Sequence, residues 1–171
     1  GCVATAMAQI LGYYQWPKHS KGQHSLPYDR SVILDYDKDG EYDWKNIHYG
    51  NYYRDYTTPE QDTAIAKLMW HLGVACDMQY SASASGADGD EMIYRAMRHF
   101  DIDSSAQVYY LDFLHAEAFT NLIYEQLQLK QPCMITGYTI DMGGHAFVAD
   151  GIDEEGKVHI NWGWDGVANG Y

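Results

Sequence analysis

The apolar positions of the chain follow two different periods. Val3, Met7, Ile10 and Leu11 recur at helical spacing in CVATAMAQILGYY, which predicts a first helix with Cys2 at its N-terminus and Gly12 near its end. Thr58, Pro59, Glu60 and Gln61 read as an N-cap, a first-turn proline and a capping-box partner, ahead of Ala64, Ile65, Leu68, Met69 and Leu72 and a stop at Gly73. The small-residue run SASASGADG leads into a third helix carrying Met92, Ile93, Ala96, Met97 and Phe100. A fourth spans about 115–130, with Phe119, Leu122, Ile123 and Leu127, and stops at Gln131 and Pro132. Beyond Pro132 the period shortens to β-type runs, CMITGYTI, GHAFVAD and KVHINW, separated by a Gly-Gly pair and by a turn at Glu154, Glu155 and Gly156. Helices first and antiparallel strands second predict an α+β fold. We divide the single domain 1–171 into a mainly helical lobe, 1–131, and a β-sheet lobe, 132–171.

Between the first two helices the pattern breaks into an irregular, Tyr-rich excursion over about 16–56. Within it SVILDYDKDGEYDW predicts a hairpin turning at Asp39 and Gly40. Asp35, Asp37, Asp39 and Gly40 imitate the start of a calcium loop, but Asn46 stands where the bidentate Glu belongs, so a solvated turn is expected instead.

Composition narrows the function. With 171 residues, 46% of them hydrophobic, the chain is long enough to bury a sizeable core. Eleven Lys and Arg against 24 Asp and Glu give a net charge of −13, which argues against nucleic acid or an anionic membrane as partner. No apolar run approaches the roughly 18 residues of a bilayer span, so a soluble chain is expected. Cys2, Cys76 and Cys133 form neither an even disulfide set nor a CxxC motif, and Cys76 and Cys133 sit in apolar company that predicts buried, inert thiols. His19, His24, His48, His71, His99 and His115 lack metal-ligand spacing and are expected to be surface or core residues.

Cys2 differs from the other cysteines because a helix N-terminus offers unpaired backbone N–H groups that favour an anion. His145 opens a strand behind two glycines in MGGHAFVADG, and a turn at 154–156 folds VHINWGW back towards it. An amide oxygen of Asn161 accepting the imidazole N–H is expected to fix the tautomer and leave the other nitrogen for Cys2. Trp162 and Trp164 flank that amide and are expected to shield it from water. His159 shares a strand face with Asn161 but lacks the GGHAF context.

The stretches GCVATAMAQIL, GGHAFVADG and HINWGW, in this order, resemble the three signatures of streptopain-like cysteine peptidases. The likeness continues through YDWKNI, LGVACDMQY, the SASASGADGD loop and QPCMITGY, and so covers nearly the whole chain. It implies a papain-like, two-lobed, secreted bacterial endopeptidase made as a zymogen. Cys2 would be the attacking thiolate, His145 the general base and acid, Asn161 the orienting residue and Trp162 the shielding indole. It further implies a peptide or protein substrate with a hydrophobic residue two positions before the cut, and the protein's own prosegment as partner. No metal or cofactor enters such acyl transfer. Small residues let an extended peptide lie against backbone, which makes Ser81, Ser83, Ser85, Gly86, Gly143 and Gly144, with Trp164, candidates for the substrate cleft; the excess tyrosines of 28–56 are a further candidate rim.

The match also departs from the family. The family's second oxyanion donor, a glutamine before the nucleophile, lies upstream of Gly1, and relatives continue with more sheet after Tyr171. The 171-residue piece alone is therefore expected to hydrolyse peptides poorly. Two rival readings are an inactive peptidase fold that keeps its peptide-binding groove and an amidohydrolase whose nucleophile becomes residue 1 by loss of Gly1.

Overall fold

The computed structural model describes residues 1–47, 57–141 and 143–171; His48, the rest of the tyrosine-rich stretch to Tyr56, and Met142 lie outside the described residues. The order is α1 (Cys2–Tyr14), β1 (Gln23–Leu26), β2 (Asp29–Asp35), α2 (Tyr36–Asp39), α3 (Pro59–Ala75), α4 (Gly89–His99), a 3-10 turn (Leu111–Phe113), α5 (Ala116–Gln128), β3 (Cys133–Thr139), β4 (Gly143–Ile152) and β5 (Val158–Asn161). It is an α+β fold with helices ahead of an antiparallel sheet.

The helix α1 is buried on most of its circumference, through Val3, Ala4, Ala6, Met7, Ala8, Leu11 and Gly12. Its alanines let neighbours approach closely, and both α3 and β4 pack on it. It runs past Gly12 and ends where Gln15 takes a left-handed φ of 50°. The capping box of α3 forms as the spacing predicts. The Gln61 N–H donates to Thr58 Oγ1 at 3.3 Å and the Thr58 N–H to Gln61 Oε1 at 2.9 Å. This helix also outruns its expected stop, because Gly73 is there for packing: a Cβ on it would sit 1.9 Å from the Tyr80 hydroxyl oxygen. The helix α4 buries Met92 and Ala96 and is capped by Asp88, which accepts from the Asp90 N–H at 2.9 Å.

The hairpin expected at Asp39 and Gly40 is corrected. β1 pairs with β2 around Pro27 and Tyr28, and Tyr36–Asp39 is a helical turn closed by the Gly40 N–H to the Tyr36 carbonyl at 2.8 Å. The reason is Tyr36, which is 0% exposed and donates its hydroxyl to the His71 carbonyl at 2.9 Å. Burying that ring turns the chain inward where a β-hairpin would carry it outward. Asp35 is engaged by Lys38 at 2.8 Å and Asp37 by the Gly22 N–H at 2.9 Å, so the two carboxylates serve the turn.

The sheet runs β3-β4-β5, antiparallel throughout. The β4–β5 turn forms at the expected residues, with Gly156 at φ 82° and the Asp153 N–H donating to the Lys157 carbonyl at 3.0 Å. One hydrophobic cluster joins both parts, since Ala146 and Val148 of β4 share it with Val3, Met7, Leu11, Leu68, Leu72, Met92 and Phe100. A common core holds the head of α1 in a fixed relation to the start of β4.

Candidate active site

Cys2 is the first residue of α1, half-buried, with a free thiol and its side chain packed against the core. The preceding residue, Gly1, has the Ser85 carbonyl and Met78 against it: a Cβ there would lie 2.5 Å from the carbonyl oxygen. The 81–86 loop thus flanks the head of α1 with its backbone. The Ser81 and Ser83 hydroxyls serve the loop itself: Ser81 Oγ accepts from the Ala84 N–H at 3.0 Å and meets Ser83 Oγ at 3.4 Å. Gly86 pairs with Gln79 in an isolated bridge. Ser81 and Gly86, with Tyr28, Tyr80 and Asp88, border a cavity of about 700 Å³.

His145 stands opposite Gly137 in the β3–β4 ladder, so no cross-strand side chain covers it, and Gly143 just before it takes φ +75°, a conformation suited to glycine. Its Nε2 lies 2.9 Å from the Trp162 carbonyl oxygen. A carbonyl only accepts, so Nε2 carries the hydrogen, and in the neutral ring Nδ1 is left with the lone pair. The half-buried imidazole sits among aromatic rings, with Trp164 at 5.0 Å between centroids, Phe147 at 6.1 Å and Trp162 at 6.2 Å. Trp164, 48% exposed, has the imidazole on one side and solvent access on the other.

The expected side-chain contact between Asn161 and His145 is corrected. Asn161 pairs with Val148, an odd number of residues from His145, and alternation therefore directs the two side chains to opposite faces of the sheet. Asn161 Oδ1 instead accepts from the Gly163 N–H at 3.0 Å. That N–H belongs to the same peptide unit as the Trp162 carbonyl, so the amide reaches the imidazole through one peptide plane. Sequence reasoning missed this carbonyl because a backbone oxygen carries no residue signature. His159 gives its Nδ1 to Asp150 at 2.5 Å, away from His145.

The loop after β5, whose Trp162 carbonyl accepts from His145, touches α1 at Gly163. With φ +74°, it presses on the first turns of α1, where a Cβ would lie 3.0 Å from Thr5 Cγ2 and 3.4 Å from Gln9 Nε2. No hydrogen bond joins Cys2 to His145 among the described residues. The other thiols are set apart: burial pushes Cys76 up to about 12 and raises Cys133, which is half-buried, not buried as expected. Among the described residues no three His, Cys, Asp or Glu side chains converge on a metal position, and no helix is long and apolar enough to cross a membrane.

The sequence profile of the Peptidase C10 family matches residues 1–171. The chain belongs to this family. It is 34% identical to streptopain of Streptococcus pyogenes serotype M28 over 183 aligned residues, covering 100% of this chain and 44% of streptopain. It is 31% identical to the thiol protease/hemagglutinin PrtT of Porphyromonas gingivalis, covering 99% of this chain and 20% of that protein. The active interpain A cysteine protease of Prevotella intermedia has the same fold, with a TM-score of 0.85 at 32% identity, covering 100% of this chain and 73% of that one. A fragment of prointerpain A gives the same TM-score, 0.85, at 34% identity. The chain thus spans less than half the length of the curated relatives it matches.

Proposed function

We propose that the chain is the catalytic domain of a cysteine endopeptidase in which Cys2 attacks the peptide carbonyl and His145 moves the proton. The observation that carries this reading is the imidazole of β4 held through its Nε2–H, with Nδ1 left as proton acceptor, by the carbonyl of a loop that is seated against the helix Cys2 opens. Family membership adds independent support.

In this mechanism Nδ1 takes the thiol proton, and the thiolate adds to the carbonyl carbon of the scissile peptide. The imidazolium returns its proton to the leaving nitrogen as the C–N bond breaks, which leaves a thioester. Water then loses a proton to Nδ1, attacks the thioester carbon and releases the acid, restoring the thiol. The backbone N–H of Cys2, unpaired among the described residues at the start of α1, is a donor for the oxyanion, a kind of contact that contributes about 3 kcal/mol. Asn161 supports the imidazole through the Trp162 carbonyl, and the Trp162 and Trp164 rings keep water from that bond.

The substrate is an extended peptide lying between the backbone of the 81–86 loop and the glycines before His145, with a hydrophobic residue two positions before the cut. Prointerpain A, as its name states, is a pro-form, and by analogy a prosegment of this protein would occupy the same cleft before activation in the secreted product.

Iodoacetamide at pH 6 followed by peptide mapping tests the reading, together with hydrolysis of a fluorogenic peptide. The expected result is modification at Cys2 with Cys76 and Cys133 spared, and loss of hydrolysis in Cys2→Ala. A full-length protein that binds peptide yet shows neither hydrolysis nor a reactive Cys2 would instead be a non-enzymatic binding module.

A further inference from the structure

Residues 163–170 leave β5 and return to it. The Val167 N–H donates to the Trp164 carbonyl at 2.8 Å, and Ile160 and Gly170 exchange both backbone hydrogen bonds, at 2.9 and 3.2 Å. The return requires left-handed backbone at Gly163, Asp165, Gly166 and Ala168, the last with φ 61°. An alanine in that region costs about 1 kcal/mol, so the surrounding bonds must hold it there. The residue that Ala168 aims is Asn169, whose Oδ1 accepts from the Trp162 N–H at 2.9 Å.

We propose that Asn169 is a positioning residue for proton transfer at His145, acting through the backbone of Trp162. The two peptide units on either side of the Trp162 Cα are each held by an asparagine. Asn169 fixes the one that enters, and Asn161 fixes the one that leaves, whose carbonyl accepts from His145 Nε2. With both planes pinned, rotation of the carbonyl about Trp162 is restrained, and with it the direction of the imidazole that donates to it. Without Asn169 the entering plane is free to swing and moves the carbonyl with it. A displacement of about 1 Å in such a site can cost on the order of 100-fold in rate. Only an oxygen can accept from the Trp162 N–H, so an aspartate of the same length would do the same work, through a charge-assisted bond.

The inference rests on the peptidase reading, and its test separates the two. In the full-length protein, Asn169→Ala is expected to lower kcat about 10-fold with KM within about 2-fold, a misplaced proton carrier and not a lost substrate contact. It is also expected to move the pH profile of Cys2 alkylation by iodoacetamide, because the imidazole that partners the sulfur is less firmly held. Asn169→Asp is expected to restore kcat to within about 3-fold and the wild-type profile. An active wild type with Asn169→Ala unchanged in kcat and profile overturns the proposal, and so does equal damage from Ala and Asp. Should Asn169→Ala fail to fold, Asn169→Ser, whose oxygen is too short to reach, takes its place. Failure of that variant to fold as well would make Asn169 a folding residue and defeat the inference. A wild type that neither hydrolyses peptide nor reacts at Cys2 defeats the peptidase reading itself.

Discussion

Two histidine environments divide the molecule. In the helical part His71 and His99 are 2% and 1% exposed and serve the tyrosine core. His71 Nδ1 meets the Tyr42 hydroxyl at 2.9 Å, while His99 stacks on Tyr36 at 4.7 Å between centroids and directs Nδ1 at the Lys21 carbonyl at 2.9 Å. That carbonyl leaves His99 Nε2 as a bare lone pair, buried and without a hydrogen-bond partner among the described residues. In the sheet part His145 has the same bond pattern at one nitrogen, a carbonyl, but it is only half-buried and its neighbours are rings with open sides. The same side chain is thus buried and held neutral in one place and half-buried beside open-sided rings in the other, and the difference lies in what surrounds it.

The sharpest way to break the comparison is to exchange its outcomes. We expect His145→Ala to lower kcat/KM by at least about 1,000-fold, the upper range for a general acid–base group, while its melting temperature stays near wild type. His71→Ala should do the reverse in kind: a large loss of stability, with the surviving folded fraction still reactive at Cys2. Peptide hydrolysis and thermal melting on the two variants decide it. If His145→Ala melts early and keeps its rate, the two histidines have been assigned to the wrong roles.

Acid should separate the two environments next. Burial lowers His71 to about 4, with Lys67 acting in the same direction, and burial also lowers His99. Between about pH 4 and 6.5 the unfolded chain therefore binds more protons than the folded one at these sites, and stability rises with pH across that window. The contribution of His71 is complete above its unfolded value of about 6.5 and falls away as pH drops towards 4, to a total of about 3 kcal/mol. Urea unfolding at pH 7 and pH 4.5 should show the fall, and His71→Gln should flatten it. A wild-type midpoint that does not move with pH would mean that these rings are not held neutral.

How much of this was legible in the sequence depends on which atoms do the work. Capping at Thr58 and Gln61 was legible because both partners are side chains at a fixed spacing. The family was legible because its signature stretches, GGHAF among them, are runs of particular residue types in a fixed order. Tyr36 was misread because an aspartate-glycine pair signals a turn but does not say which neighbour the core will claim. The direct contact from Asn161 to His145 was misread because it depends on register: pairing with Val148 puts the side chain on the face away from His145, and an odd offset reverses every side chain. The Trp162 carbonyl and the clamp by Asn169 left no readable mark, since a backbone group and a loop return are set only by the folded path.

The smallest expected effect, and the one that probes the junction between the two halves, concerns Gly163. Its φ of +74° alone disfavours a side chain, and a Cβ would press on Thr5 Cγ2 at 3.0 Å. Thr5 can give by a few tenths of an ångström, so Gly163→Ala should fold, at a cost of about 1 kcal/mol from the left-handed backbone. The strain falls on the peptide unit that joins Asn161 to His145, and relief by rotation would shift the Trp162 carbonyl. We therefore expect a modest loss of kcat beside the modest loss of stability, and a partial recovery of kcat when Thr5→Ser removes the methyl that crowds the new Cβ. Stability lost with kcat intact would show that the loop carries the sheet's weight on α1 without steering the imidazole. In that case the junction would be a packing contact alone, and the poise of His145 would have to come from the aromatic rings around it.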